Sequence, residues 1–309
     1  MDDLLFLEPL FKERIWGGEA LRTEFKYNIP SSHTGEAWVI SGHSNGDSTI
    51  TNGRFKGMKL GSVYRRNRNL FSNLKDEKFP LLTKILDAND DLSVQVHPND
   101  AYAKKFANDL GKTECWYVLD AKKDSYIIYG HQAKTKQEFK QMMEENKWDE
   151  LLTKKYVKKG DFIYVPSGTL HALGKGLLIL ETQQSSDTTY RVYDYHRVDE
   201  SGHERDLHIK EAVDVTTIPN LDCDYKYKTF LVDASKITQF ISNSFFTVEK
   251  WDIRDVLELE NRGFKLMSVI SGKGFINGIK LEKGMNFIVC SNTTHIQFEG
   301  NMEMIVSYI

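Results

Sequence analysis

One pattern of 16 residues occurs twice in this chain. The stretch KKGDFIYVPSGTLHAL, from Lys158, aligns without a gap on EKGMNFIVCSNTTHIQ, from Glu282. The matched pairs are Lys159/Lys283, Gly160/Gly284, Val165/Val289, Ser167/Ser291, Thr169/Thr293 and His171/His295. Each copy reads as a glycine turn, an apolar strand, a turn of small residues and a histidine that opens the next strand. A unit that recurs in this form predicts a duplicated β fold.

The rest of the sequence agrees with that expectation. Short β-rich runs such as EAWVISGH, LSVQVHP, CWYVLDA, SYIIYG, LLILETQQ, YRVYDY, FFTVEKWDI, KLMSVISG and NFIVCS are separated by Gly, Asn, Asp and Ser turns. They predict a mostly antiparallel sandwich or barrel. Helices are the minority. One is predicted from Thr135 to Leu152, opened by a Thr-x-x-Glu capping box, with Phe139, Met142, Met143, Trp148, Leu151 and Leu152 at helical spacing. A shorter one is expected to open at Asn99 or Asp100 and close at Gly111.

At 309 residues the chain has room for one large domain or two ordinary ones. A formal net charge of -3 argues against a nucleic-acid surface and leaves room for a local basic pocket that takes a small anion. No long apolar run predicts a membrane span, and the acidic start MDDLLFLEPL does not read as a signal peptide. Cys115, Cys223 and Cys290 are odd in number and widely spaced, which predicts neither a disulfide framework nor a thiolate metal site. A cytoplasmic protein acting on a small molecule is expected.

In SVQVHPND, alternation puts Gln95 and His97 on one strand face and Val94 and Val96 on the other. Polar residues on one strand face are ordinary: a solvated face, a hydrogen-bonded polar core and two arms of a metal site all fit. Glu114 and His171 lie on or beside other predicted strands and would complete a nitrogen and oxygen donor set. Such a set suits Zn²⁺, with Mn²⁺, Fe²⁺ and Co²⁺ left open by ligand type. The second copy offers no counterpart of Gln95, His97 or Glu114, so His295 is read as a packed or surface histidine. His33, His43 and His131 are read as ordinary loop or surface histidines.

Taken in order, SVQVHPND, GKTECWYVL, YVPSGTLHAL and LETQQSSDTTYRVYD resemble the signature blocks of the type I mannose-6-phosphate isomerases, zinc-dependent enzymes of the cupin superfamily. The opening LFKERIWGG and the block TGEAWVISGH are similar to the short bacterial form of that family. The blocks run from about residue 8 to residue 210, and the remainder resembles the family's second cupin half. Together they are specific where any single block is not.

The resemblance implies a mainly β fold of two cupin-type β-barrel (jelly-roll) units with a small helical insertion. Residues 1–234 would form the metal-binding catalytic unit, with the insertion near 99–155, and residues 235–309 a second unit without metal ligands. It implies Gln95, His97, Glu114 and His171 as ligands of one Zn²⁺ per chain. Arg191, Lys112 and Glu181 become the catalytic candidates, and Ser93 and Lys84 the substrate-binding ones. The implied reaction interconverts mannose 6-phosphate and fructose 6-phosphate through an enediol, in a monomer or homodimer, with no nucleic-acid or membrane partner. A sugar-phosphate-binding cupin regulator and an iron-dependent cupin oxygenase are the alternatives, since fold alone does not fix function. Oxygenases of that superfamily usually present His-x-His where this chain has Gln95 and His97.

Overall fold

The computed structural model describes residues 4–198, 202–223 and 225–309. Antiparallel strands dominate, and they form three sheets. The first has seven strands. Its main path runs Phe162–Val165, Glu114–Ala121, Leu177–Gln184, Leu81–Ala88, Thr34–His43 and Leu10–Gly18, and Gly46–Asp47 pairs with Thr34–His43. The second has five strands, in the order Leu152–Tyr156, Tyr126–His131, His171–Leu173, Val94–Val96 and Tyr190–Tyr193.

These two sheets face each other as a jelly-roll sandwich. Trp16, Leu86, Trp116 and Ile179 of the larger sheet share one buried cluster with Ile127 and Leu173 of the smaller. The other side of the smaller sheet turns Val94, Val96, Ile128, Ala172 and Val192 onto Phe139, Met143 and Ala212 of two helices, Lys136–Glu144 and Ile209–Val215. The alternation read from SVQVHP is therefore real. Its valines are held by the helices, and Gln95 and His97 point between the sheets, where the apolar filling gives way to polar groups.

The third sheet has ten strands. Its long strand His295–Tyr308 pairs with Lys265–Ile276 on one side; on the other it meets Val256–Glu260 along its first half and Thr247–Ile253 along its second. The sheet encloses its own core of Trp251, Leu257, Met267, Phe287, Phe298 and Met304. The strand Leu4–Glu8 from the start of the chain pairs with Asn286–Val289 in this sheet. The hairpin of Lys228–Val232 with Ser235–Ser242 spans the 234/235 division. A further cluster joins the units: Ile40, Phe71, Phe79 and Leu180 are buried together with Phe264, Ile288 and Ile305.

The repeat is visible in the backbone. Phe162–Val165 and Asn286–Val289 occupy the same places in the two copies, and His171 and His295 each open the next strand. Gly160 and Gly284 precede them at φ +90 and +95, a region that favours glycine. Three backbone hydrogen bonds recur in step. Gly160 and Gly284 donate to Val118 and Val269, Asp161 and Met285 to Lys158 and Glu282, and Thr169 and Thr293 to Pro166 and Cys290.

The helices are shorter than the periodicity predicts. Thr135 does cap the main one, its side chain accepting from the Glu138 N–H, but that helix ends at Glu144. Asn146 then takes a left-handed φ of 54, and a separate turn, Trp148–Leu151, follows. The other helix is Asp100–Phe106, with Asn99 as its cap. It stops well before Gly111, whose bare Cα is needed because a Cβ there would meet the Asp100 nitrogen at 2.4 Å. No helix among the described residues is long and apolar enough to cross a membrane.

Candidate active site

The two facing sheets bring four separated sequence positions to one buried point. Gln95, His97 and His171 come from the smaller sheet or its strand ends, and Glu114 opens a strand of the larger. Ligand-type atoms of His97, Glu114 and His171 all lie within 4.8 Å of one another, and all three residues are buried. His97 Nε2 is 3.4 Å from Glu114 Oε2, and His171 Nε2 is 3.4 Å from Glu114 Oε1. The Gln95 amide reaches to 3.4 Å from His171 Nε2.

The far side of each imidazole decides its tautomer. His97 Nδ1 donates to the Thr188 carbonyl at 3.1 Å and His171 Nδ1 to the Thr169 carbonyl at 2.9 Å. A carbonyl only accepts, so in the neutral rings both Nε2 atoms carry lone pairs toward Glu114. Burial, together with the Lys112 ammonium, pushes His97 down to about 3 and lowers His171 as well. For Glu114 burial works the other way, but Lys112 and His97 outweigh it and hold the carboxyl well below its usual range. Neither Glu114 oxygen accepts a hydrogen bond. Two imidazole lone pairs and a buried carboxylate, with only the Lys112 ammonium beside them, are a poor arrangement on their own and a good one around a divalent cation. The residues present therefore fit such an ion.

Lys112 sits beside this set, its ammonium 3.0 Å from His97 Nε2 and 3.3 Å from Glu114 Oε2. Glu181 and Lys84 face each other from neighbouring strands, with Glu181 Oε1 and Lys84 Nζ 3.4 Å apart. Trp116 Nε1 donates to Glu181 Oε2 at 3.1 Å. Burial first, and then the charge of Glu114, raises the Glu181 pKa. Lys84, despite its burial, is held above the ordinary lysine value by Glu181 and Glu36. The register aligns His171 with Gln95 and Gln95 with Arg191, so these three cross the smaller sheet in a row.

A cavity of about 290 Å³ opens onto this row. Arg191, Lys112, Glu181, Ser93, Lys84 and Gln95 all line it. His97, Glu114 and His171 form the buried cluster beside Gln95 and Lys112. Sequence reasoning missed Arg14, Glu36, Asp187 and Arg205, which also line the cavity. Glu36 accepts from Arg14 Nε at 2.6 Å and from Trp38 Nε1 at 2.7 Å. Although burial opposes it, Lys84 and Arg14 bring its pKa down to about 2. The alternation in GEAWV, which puts Glu36 and Trp38 on one face, was the available signal. Five basic side chains against three carboxylates make the cavity a basic site in an acidic chain, as an anionic ligand requires.

His43 and His131 are not surface residues. Each ends a strand in a buried position, where His43 accepts from the Asn45 N–H and His131 Nε2 bonds the Thr217 carbonyl. His33 is exposed, as read. So is His295, the counterpart of His171 in the second copy.

A jelly-roll sandwich with two histidines and a carboxylate buried beside a basic cavity defines a cupin-type protein with a candidate metal centre. The model of the type I phosphomannose isomerase catalytic domain matches residues 4–142, and that of the mannose-6-phosphate isomerase cupin domain matches residues 236–309. The chain is 50% identical to a mannose-6-phosphate isomerase of Streptococcus mutans serotype c, over 100% of this chain and 99% of the relative. It is 48% identical to one from Bacillus subtilis, over 99% of this chain and 98% of the relative. A crystal structure of the mannose 6-phosphate isomerase from Bacillus subtilis superposes with a TM-score of 0.98 at 45% identity, covering 100% of each chain. A phosphomannose isomerase variant from Salmonella typhimurium shares the fold at a TM-score of 0.79 and 15% identity, covering 99% of each chain. The chain belongs to the type I phosphomannose isomerase family and is an isomerase.

Proposed function

We propose that the chain interconverts mannose 6-phosphate and fructose 6-phosphate with the help of one divalent metal ion, zinc in first place. Gln95, His97, Glu114 and His171 would hold it. The observation that carries this reading is the convergence of two imidazole lone pairs on a Glu114 carboxylate that accepts no hydrogen bond, at the wall of a basic cavity. When bound, the ion supplies a Lewis acid for the sugar oxygens at C1 or C2.

The reaction moves a proton between C1 and C2 through an enediol and leaves the overall oxidation state unchanged. Arg191 is the group we assign to the developing negative oxygen, since its guanidinium lines the cavity and its Nε has no hydrogen-bond partner. Lys84 and Ser93 we assign to binding the substrate. Both are buried cavity-wall residues, and a phosphate would give the Lys84 ammonium a second anionic neighbour beside Glu181. Of the two candidates for carrying the proton, Glu181 is the better supported. Its Oε1 accepts no hydrogen bond and burial raises its pKa above the ordinary carboxylate value.

We assign the site to the unit within residues 1–234 and a supporting role to the unit of residues 235–309, which lends its sheet to the strand Leu4–Glu8. A cytoplasmic location, as monomer or homodimer, accords with a phosphorylated substrate and with cysteines that are odd in number and widely spaced in the sequence. The test is isomerisation of mannose 6-phosphate, coupled to detection of glucose 6-phosphate, before chelation, after it, and after zinc is returned. Activity lost and restored supports the reading, whereas full activity in the chelated protein removes the metal from it.

A further inference from the structure

Residues 186–189, between the strands Leu177–Gln184 and Tyr190–Tyr193, have no strand partner, yet they contribute three groups to the site. The Thr188 carbonyl holds His97 Nδ1, and Asp187 and Thr189 line the cavity. A segment without ladder hydrogen bonds needs another anchor if it is to hold a ring nitrogen to a few tenths of an ångström.

That anchor is Asp109, on the segment leading to Glu114 and outside the cavity lining. Its side chain is 10% exposed. One oxygen, Oδ2, accepts from Ser186 Oγ at 2.9 Å, from the Asp187 N–H at 3.2 Å and from Thr188 Oγ1 at 3.1 Å. The other, Oδ1, accepts from Lys78 Nζ at 2.9 Å, with His43 Nε2 at 4.0 Å. Three donors from three successive residues on one carboxylate oxygen fix the loop's path more tightly than any single contact could. Asn45 Nδ2 adds a tie to Asp187 Oδ2 at 2.9 Å.

We infer that Asp109 is a positioning residue of the candidate metal centre. It acts through the loop 186–188, whose Thr188 carbonyl sets the tautomer and orientation of His97. The inference rests on the reading of His97 as a metal ligand. Partners that orient a metal-binding histidine typically change metal affinity about 10- to 100-fold when lost. Asp109 stands one step further out, so a loss of about 10-fold is expected.

The test uses the full chain with cobalt(II) as the probe. Affinity is measured by competition with a chelator, the visible absorption band reports ligand geometry, and thermal unfolding of the metal-free protein is recorded in parallel. Asp109→Ala should bind cobalt about 10-fold more weakly and shift the band. Thr188→Val removes one hydroxyl donor and keeps the carbonyl. It should move both readouts in the same direction by less, and it decides the matter if Asp109→Ala does not fold. Asp109→Asn keeps an acceptor for the loop and should recover most of the affinity. Lys78→Met strips the other carboxylate oxygen of its ion pair and should leave the band where it is. Unchanged cobalt affinity and band in both Asp109→Ala and Thr188→Val would overturn the inference. So would Lys78→Met weakening cobalt as much as Asp109→Ala, because that marks a general loss of stability. An unaltered chain that takes up no cobalt overturns the metal centre and this inference together.

Discussion

Glu114 Oε1 stands 3.4 Å from His171 Nε2, and neither atom brings a proton to the contact. Facing acceptors in a buried site repel unless a cation lies between them. Metal addition should therefore stabilise the fold, by about 2.7 kcal/mol when free metal is a hundredfold above its Kd. Glu114→Gln removes the carboxylate charge from the set, and its melting temperature should no longer respond to zinc. Differential scanning calorimetry of both proteins with and without zinc checks this. An unaltered chain that melts at one temperature under both conditions would count against the site.

The same histidines make the metal-free protein sensitive to acid. His97 is lowered to about 3 by burial and Lys112, so the folded state holds it neutral while the unfolded chain protonates near 6.5. Stability from a depressed pKa is present above the unfolded value and is lost as pH falls through 6.5 toward 3. At pH 5 His97 alone accounts for about 2 kcal/mol. Glu114, also held low, adds to the loss further down. Urea midpoints in chelator at pH 8, 6.5 and 5 should fall slightly across the first interval and mainly across the last. Equal midpoints at pH 6.5 and 5 would show that His97 is protonated in the fold.

Arg191 shares a register line with Gln95 and His171 and lines the cavity. Its Nη1 donates to the Asp206 carbonyl at 2.8 Å, holding the plane of the group. Losing a preorganised donor of this kind costs on the order of 10²-fold in turnover. Arg191→Ala should lose at least that in kcat with a smaller change in KM. Arg191→Lys should recover little, because an ammonium cannot hold the Asp206 carbonyl and the substrate with one planar fork. Steady-state kinetics of both variants decide it, and near-normal kcat in Arg191→Ala would remove the assigned role.

How much of this was legible in the sequence differs from residue to residue. Gln95 and His97 could be placed on one face because a strand alternates strictly, and Val94 and Val96 duly pack on the helices. The repeat was legible because turn geometry at Gly160 and Gly284 constrains residue type. That Glu114 would meet both histidines was legible only through the family resemblance and not through alternation, since it opens a strand of the opposite sheet and sheet packing sets the distance. The helix from Thr135 read too long because hydrophobic spacing continues past Asn146, where the backbone turns left-handed. Asp109 gave no signal at all: its role comes from a loop 77 residues away in sequence.

Glu181 and Lys112 remain to be separated as carriers of the proton, and they differ in a way a pH profile reads. A base must be ionised to accept the C1 or C2 proton, so activity falls as pH drops through its pKa. Burial raises the Glu181 pKa, which puts that acidic limb above the ordinary carboxylate value of about 4.3. Glu181→Gln should erase the limb and lower kcat by about 10²-fold or more, leaving a flat residual rate. Lys112→Met should lower activity and bind metal differently, since Lys112 contacts both His97 and Glu114, yet keep the limb. Profiles of kcat between pH 4.5 and 9 on the zinc-loaded variants make the comparison. A limb that survives in Glu181→Gln and disappears in Lys112→Met would hand the proton to Lys112.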